Sequence, residues 1–397
     1  METHNDHISA LSIFKIFLKL GLTSFGGPIA HLGYFRHEFV ERRQWLNDHA
    51  YADLVALCQF LPGPASSQVG IALGLSRGGY IGALAAWAGF TLPSALLLLL
   101  FAWGMHSWQG AEQAGWLHGL KIATVAVVAQ ALWGMAKTLA PDRARATIAV
   151  IAAIIVLALS SAGGQIAAIV MGGLSGYVLL KNHTPPPHVE ISVPIKRGVA
   201  TLCLLLFLGL LIALPLLAAL SAQPLIALLD VFYRAGALVF GGGHVVLPLL
   251  QTGVLTPGWV SNDQFLAGYG AAQAVPGPLF TFAAYLGAIM EAPAHGLAGA
   301  ALCLAAIFLP SFLLVFGVLP FWERLRQFTG IQSSLRGINA AVVGILLAAL
   351  YNPVWLAGIT SAVDFAIGIA AFLLLSVWKC PPWLVVGLCA AAGFIGI

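Results

Sequence analysis

The stretch Gln59-Phe60-Leu61-Pro62-Gly63-Pro64 recurs in altered form as Gln273-Ala274-Val275-Pro276-Gly277-Pro278. Both copies interrupt apolar runs. In hydrocarbon every backbone N–H and C=O needs a partner, so such a break is tolerated only where the freed groups face protein or a wet cavity. Proline lacks an N–H and breaks the helix before it, and glycine allows unusual dihedral angles. Each copy is therefore predicted to end one half-helix and to begin another.

The composition indicates a polytopic membrane protein. Of the 397 residues, 60% are hydrophobic and 8% are charged, and the mean hydropathy is +0.94. Soluble domains carry about 25% charged residues, so a soluble protein is excluded. Apolar runs of membrane-spanning length recur along the chain. The candidate segments cover residues 11–33, 51–75, 79–104, 117–139, 145–161, 165–180, 198–220, 227–250, 264–290, 295–321, 335–351, 359–376 and 383–397.

A repeat with a period near 215 residues divides the chain into two homologous halves. The matched stretches are Phe25-Gly26-Gly27 with Phe240-Gly241-Gly242, Gln59 to Pro64 with Gln273 to Pro278, Leu92-Pro93-Ser94 with Leu309-Pro310-Ser311, and Leu117 and Gly119 with Leu335 and Gly337. The predicted organisation is an N-terminal repeat at 1–183, a linker with one transmembrane helix at 184–225 and a C-terminal repeat at 226–397. Pro185-Pro186-Pro187 favours an extended start to that linker.

Loop charges predict inverted topology for the two halves. The additional segment at 198–220 reverses the second half relative to the first. With a cytoplasmic N-terminus and a periplasmic C-terminus, most loop Lys and Arg residues fall on the cytoplasmic side, as the positive-inside rule requires. The loop with Arg42 and Arg43 fits if 11–33 and 51–75 are re-entrant hairpins. The predicted fold is an all-α polytopic membrane protein with two inverted halves and helices broken by Gly and Pro.

The half-helix that starts after Pro64 is a candidate anion site. A helix N-terminus presents unpaired N–H groups and a partial positive charge. The first turn of this half-helix adds side-chain donors. The equivalent turn after Pro278 offers Thr281. Discontinuous helices of this kind form substrate sites in transporters with inverted repeats. Gln59 and Gln273 are expected to satisfy freed carbonyls or the ligand. The candidate donors in the first copy are Ser66, Ser67 and Gln68.

A second pair of breaks is rich in glycine and brings backbone donors close to a ligand. It comprises Gly26, Gly27 and Pro28 in the first half, with Gly241, Gly242 and Gly243 in the second. His31 and His244 follow these breaks. Together with Asp53 they are candidates for relaying protons, because histidine titrates near neutral pH. Hydrogen-bonded structural histidines are the alternative interpretation.

The densest charge cluster of the chain runs from Arg36 to Trp45. Glu38 and Arg42 have the i,i+4 spacing that supports a solvated surface helix. In a second interpretation, an arginine at position 36, 42 or 43 makes the first contact with a doubly charged oxyanion, because a guanidinium matches the edges of the oxyanion; Arg42 and Arg43 are the candidate residues.

Enzymatic motifs such as H-E-x-x-H and G-x-S-x-G are absent, and no Cys/His spacing of a metal site occurs. We expect no catalytic residues, no metal and no cofactor. Nucleic acid is not an expected partner, since the excess of basic residues lies in loops, where orientation in the bilayer explains it. The lipid bilayer is the expected environment, and a homodimer is left open.

The first half resembles the long-chain chromate transporter family. The residues that carry the resemblance are Phe25-Gly26-Gly27-Pro28-x-Ala30-His31, Phe39-Val40-x-Arg42-x-x-Trp45-Leu46, Tyr51-x-Asp53-Leu54, Gln59-x-Leu61-Pro62-Gly63-Pro64-x-Ser66-Ser67-Gln68 and Phe90-Thr91-Leu92-Pro93-Ser94. The C-terminal copy, Phe240 to Pro278, is shorter and degenerate.

The resemblance implies a carrier of the bacterial inner membrane that expels chromate, a tetrahedral dianion, using the proton motive force. A passive oxyanion channel and a sulfate-type anion carrier are the alternatives, because sulfate shares the shape and charge of chromate.

Overall fold

The computed structural model describes residues 8–107, 115–159, 161–180, 195–221, 223–325 and 328–395. In these ranges every regular element is helical. The helices are α1 (Ala10–Thr23), α2 (Gly27–Arg36), a π-helix (His37–Arg42), α3 (Asp48–Phe60), α4 (Ala65–Ser107), α5 (Gly115–Leu139), α6 (Arg143–Ala158), α7 (Ala162–Leu179), α8 (Arg197–Ser221), α9 (Pro224–Leu238), α10 (Val246–Leu255), α11 (Asn262–Ala274), α12 (Phe282–Ile289), α13 (Gly296–Val318), α14 (Trp322–Leu325), α15 (Thr329–Ala349), α16 (Leu356–Gly358), α17 (Ala362–Ser376) and α18 (Pro382–Ile395), with 3₁₀ turns at Gly243–Val245, Leu279–Thr281 and Leu319–Phe321 and a π-helix at Leu350–Trp355.

The two halves repeat the same order of helices, which agrees with the predicted duplication. Helices α1, α2 and α3 correspond to α9, α10 and α11, and each set ends at a Pro-Gly-Pro break. Helix α4 corresponds to α12 and α13 together, because the non-helical backbone of Gly78 and Gly79 divides it. Helices α5, α6 and α7 then correspond to α15, α17 and α18. Helix α8 lies between the two repeats.

Five helical stretches are long and apolar enough to cross a membrane: 65–105, 115–139, 197–221, 296–321 and 329–358. The helices around the breaks are shorter. α1 has 14 residues and α3 has 13, which gives about 20 Å each, less than a hydrocarbon core of roughly 30 Å. The predicted segments 11–33 and 51–75 are thus each two short helices joined by a break.

Both broken segments of the first half begin and end on one side of the bundle. The Ile8 N–H, before α1, donates to the Arg77 carbonyl at the division of α4 (3.0 Å). The Arg77 guanidinium donates to the Trp45 carbonyl, in the loop between α2 and α3, and its Cζ lies 5.8 Å from the centre of the Trp45 ring. The start of α1, this loop and the end of the first part of α4 therefore share one surface, which is the re-entrant arrangement.

The second half enters from the opposite side. From Gly79 to Ser107, α4 extends about 42 Å and so crosses the bundle. Helix α5 starts on that far side, and Lys121 near its start pairs with Asp263 in the first turn of α11 (3.1 Å). The broken helices α9 to α12 are therefore inverted relative to α1 to α4, as predicted.

Some predicted features lie outside the described residues. They are the proline run Pro185-Pro186-Pro187 and the loop charges Glu112, Lys181 and Arg326.

Close helix packing in the bundle depends on glycine. Helix α15 packs against α7, where a Cβ on Gly337 would overlap the Gly172 carbonyl oxygen and the backbone of Gly176. Small residues allow this approach, which supplies the van der Waals contact that holds helices together in a membrane.

We predict that Gly337→Ala lowers the apparent melting temperature in detergent. The added methyl must push α7 and α15 apart, and overpacking of this kind costs about 1–3 kcal/mol. Gly134→Ala in α5 is the matched control, because a Cβ there meets nothing within 4 Å; alanine has the higher helix propensity, so its melting temperature stays the same or rises. Equal melting temperatures for the two variants would contradict the packing argument.

Candidate functional site

The Pro-Gly-Pro loop of each half is hydrogen-bonded to the glycine-rich break of the other half. The Gly63 N–H donates to the Val239 carbonyl (2.6 Å), and the Gly277 N–H donates to the Ser24 carbonyl (2.9 Å). Val239 and Ser24 hold equivalent positions, each directly before a Phe-Gly-Gly sequence. The two bonds are thus related by the repeat, and they bring all four breaks to one region between the halves. We call the two Pro-Gly-Pro loops, residues 62–64 and 276–278, the interlocked loops.

The same two glycines press against a serine of the opposite half. Gly63 has φ +120° and Gly277 has φ +93°, a conformation that side chains disfavour. A Cβ on Gly63 would lie 3.0 Å from Ser311 Oγ, and one on Gly277 would overlap Ser94 Oγ. These serines come from the repeated Leu-Pro-Ser motif in α13 and α4. Glycine is therefore required at both turns, because the backbone has a positive φ and because a Cβ would meet the opposing serine.

Side chains of the same loops satisfy carbonyls that the breaks set free. Gln68 Nε2 donates to the Pro62 carbonyl (2.7 Å), and Thr281 Oγ1 donates to the Pro278 carbonyl (2.7 Å). Gln59, which was expected to satisfy freed carbonyls or the ligand, is exposed, and its contact with a ligand stays a prediction. Gln273 is half-buried.

Buried polar atoms without a partner in the described part of the chain surround the interlocked loops. An unpaired buried donor or acceptor costs about 1–3 kcal/mol, so its retention points to a ligand or water that completes it. The residues concerned are at most 2% exposed. The atoms are Ser24 Oγ before the first break, Ser67 Oγ and Gln68 Oε1 in the first turn of α4, Thr91 Oγ1 one turn before Ser94, and Ser311 Oγ in α13.

The two glycine-rich breaks also approach one another. A Cβ on Gly243 would lie 3.6 Å from Cγ of Pro28. Gly26 and Gly241 are exposed, and Gly27 and Gly242 are partly exposed. Backbone at the centre of the molecule is thus open to a ligand from both halves.

His31 ties the first break to the first turn of α4. Its Nε2 donates to the Ser24 carbonyl (3.2 Å), and its Nδ1 is hydrogen-bonded to Ser66 Oγ (3.3 Å). The ring is 1% exposed and meets Phe90 edge-on. His31 therefore fixes the position of the turn that carries Ser66.

His244 is held differently and does not match His31 in the repeat. It is half-buried, and its Nδ1 is hydrogen-bonded to Tyr269 Oη of α11 (3.0 Å). Asp53, the third proton-relay candidate, is buried in α3. All three polar groups line the broken helices, and a role in proton transfer stays a prediction.

The two candidate arginines are bound to one carboxylate at the edge of the bundle. Arg42 Nη1 lies 3.0 Å and Arg43 Nε 2.6 Å from the oxygens of Glu38, which is itself 8% exposed. The Arg42 side chain keeps 54% of its exposure. The structure places neither arginine among the interlocked loops, so their contact with substrate stays a prediction.

No group of three or more His, Cys, Asp or Glu residues that could hold a metal ion occurs in the described part of the chain. The chemistry available at the interlocked loops is that of neutral hydrogen-bond donors and of one helix N-terminus.

A family model described as chromate transporter matches residues 11–177 and 226–394, one match for each half. The chain belongs to the chromate transporter family. A probable chromate transport protein of Synechococcus elongatus is 29% identical over 98% of this chain and 95% of its own length. Chromate transport proteins of Pseudomonas aeruginosa and Cupriavidus metallidurans are each 28% identical, over 92% and 84% of this chain and 87% and 80% of their own lengths. No solved structure matches the chain.

The surroundings of the transporter's interlocked loops include residues that the sequence did not identify as site candidates. They are Ser24, Thr91, Ser94 and Ser311. The sequence showed the Leu-Pro-Ser motif as a marker of duplication. The serine of this motif is a polar residue inside an apolar helix, and that feature could have identified it as a site candidate. That each serine faces the opposite half follows only from the packing.

We predict that Gln68→Leu destabilises the transporter while Gln59→Leu does not. Both glutamines flank the same Pro-Gly-Pro loop, but only Gln68 satisfies a freed carbonyl, and losing that partner costs about 1–3 kcal/mol. The measurement is the apparent melting temperature of each purified variant. A larger loss of stability for Gln59→Leu would overturn the assignment of the Pro62 carbonyl to Gln68.

Proposed function

We propose that the chain is a secondary active transporter that exports chromate across the bacterial inner membrane, driven by the proton motive force. The observation that supports this most is a group of buried hydroxyls around the interlocked loops, those of Ser24, Ser67, Thr91 and Ser311, which have no partner among the described residues. A tetrahedral dianion offers acceptors in four directions, which matches donors that converge from both halves.

The first half supplies more of the proposed anion site than the second. The N-terminus of α4 after Pro64 combines free backbone N–H groups with the hydroxyls of Ser66 and Ser67. In the second half, the turn after Pro278 is a 3₁₀ turn, and its hydroxyl donor, Thr281, is already bonded to the Pro278 carbonyl. The C-terminal repeat therefore closes the site chiefly through Ser311 and the Gly241–Gly243 backbone.

The proposed orientation puts the N-terminus in the cytoplasm and the C-terminus in the periplasm. The surface that holds the start of α1 also holds Arg36, Arg42, Arg43 and Arg77, which favours the cytoplasmic side. His31, Asp53 and His244 are the proposed proton carriers. Arg42 and Arg43 are the proposed first contact for the anion.

We predict that Ser67→Ala and Ser311→Ala each raise the half-saturating chromate concentration at least about tenfold, because a hydrogen bond to a charged ligand contributes about 1.5–3 kcal/mol. Neither change lowers stability, since neither hydroxyl has a partner in the part of the chain that the structure describes. Uptake into vesicles at graded chromate concentrations measures the first effect, and the apparent melting temperature measures the second.

The matched control is Ser76→Ala. This serine lies on α4 as well, but its hydroxyl is bonded to the Leu73 carbonyl, away from the loops. We expect the half-saturating chromate concentration of Ser76→Ala to equal that of the unaltered transporter. Unchanged half-saturation in both Ser67→Ala and Ser311→Ala would refute the placement of the anion.

We predict that proteoliposomes with an acidic interior accumulate chromate against its gradient when valinomycin and equal potassium hold the membrane potential at zero. Both pH values are kept alkaline so that chromate remains the dianion. Adding nigericin, which removes the pH gradient, abolishes the accumulation. A passive channel only equilibrates chromate under these conditions. Repeating the assay with sulfate separates a chromate exporter from a sulfate-type carrier.

A further inference from the structure

Helix α1 exposes a face that is polar along one edge and apolar along the other. At 100° per residue, Ser12, Lys15, Lys19 and Thr23 occupy the polar edge. Leu11 and Leu22 occupy the adjoining edge. All six side chains are exposed, while Ile13, Phe17 and Leu20 on the opposite face are buried against the bundle. We call the polar edge the lysine track.

The lysine track lies at a depth where lipid would oppose it. The chain just before α1 is bonded to Arg77 at the surface of the bundle, and Lys19 follows Ala10 by nine residues, or about 13 Å along the helix. A lysine deep in hydrocarbon costs about 2.5–3.5 kcal/mol or more. An edge that faces water avoids this cost, so we assign the lysine track to water and the edge with Leu11 and Leu22 to lipid.

Neither lysine has a counter-charge among the described residues, and the repeat shows that this is specific to the first half. The equivalent positions in α9 are Asp230 and Arg234, which form an ion pair with each other. Asp230 is 5% exposed. The first half thus carries two positive charges at these positions, whereas the net charge at the equivalent positions of the second half is zero.

The lysine track leads to the breaks. Lys15, Lys19 and Thr23 follow one another at intervals of four residues, and the exposed Gly26 comes next at the end of the helix. Ser24, whose carbonyl holds Gly277 and whose hydroxyl is unpaired, lies between Thr23 and Gly26. An anion moving along this edge would arrive at the interlocked loops.

We propose that the lysine track lines a water-filled vestibule that attracts the oxyanion and delivers it to the first break. This inference rests on the proposed function for the identity of the anion. The vestibule itself is defined by water access and positive potential, which are measurable without transport. Anionic lipid headgroups present the same charged oxygens, so the test excludes them by using vesicles of neutral phosphatidylcholine.

The first arm measures water access with single cysteines. Cys380→Ser provides the background, because the other four native cysteines are buried. In this background, Lys15→Cys, Lys19→Cys and Thr23→Cys are treated with charged methanethiosulfonates in neutral vesicles, with Leu22→Cys as the lipid-edge control. We expect the three track positions to react at least about tenfold faster than position 22. Equal, slow reaction at positions 19 and 22 would overturn the vestibule.

The second arm measures the potential. At Lys15→Cys, the rate for the anionic sulfonatoethyl reagent is divided by the rate for the cationic trimethylammonium reagent. Adding Lys19→Gln lowers this ratio roughly tenfold, because one unit charge about 6 Å away through water changes each of the two rates about threefold and in opposite directions. Adding Lys19→Arg leaves it unchanged. A ratio that is the same with Gln and Arg at position 19 would refute electrostatic attraction.

The third arm connects the vestibule to the anion. Chromate or sulfate at saturating concentration slows the modification of Thr23→Cys, next to the first break, more than that of Lys15→Cys. Protection at neither position contradicts delivery to the break. If chromate transport itself fails while the first two arms succeed, the proposed substrate is wrong and the vestibule stands.

Discussion

The structure depends on the partners found by the backbone groups that the Pro-Gly-Pro breaks set free. In a bilayer no water in the hydrocarbon satisfies them, and each unsatisfied group costs several kcal/mol. Gly63 donates to Val239 and Gly277 donates to Ser24, so each half satisfies the break of the other. Neither half alone contains both members of either bond. The two halves are therefore held together at the level of the breaks.

The need to pair the freed backbone groups explains why the interlocked loops are closely packed and hydrogen-bonded. Glycine at positions 63 and 277 allows the opposing serine to approach closely, and Gln68 and Thr281 occupy carbonyls inside the loops. The hydroxyls of Ser67 and Ser311 have no partner among the described residues, which leaves them free to bind a ligand.

The two halves have diverged around a shared framework. Both keep the glycine positions, the Leu-Pro-Ser serines and the reciprocal bonds. The first half has a longer helix after its break and, among the described residues, more hydroxyls without a partner and two lysines in α1 without a counter-charge. The second half has a short turn, a hydroxyl bonded within its own loop and an internal ion pair in α9. The two halves therefore differ in the polar and charged groups that they place around the breaks.

The sequence by itself determined the membrane class, the duplication, the inverted order and the location of the breaks. These features follow from hydropathy, from Gly and Pro chemistry and from loop charge. Such properties are local or additive, so they can be read from the sequence without knowledge of the contacts. The roles of individual polar residues were decided by tertiary structure. Gln59 and Gln68 are chemically identical and flank the same loop, yet only Gln68 reaches the Pro62 carbonyl. Ser94 and Ser311 meet the loop of the opposite half because two distant segments pack together, and no local pattern encodes that contact.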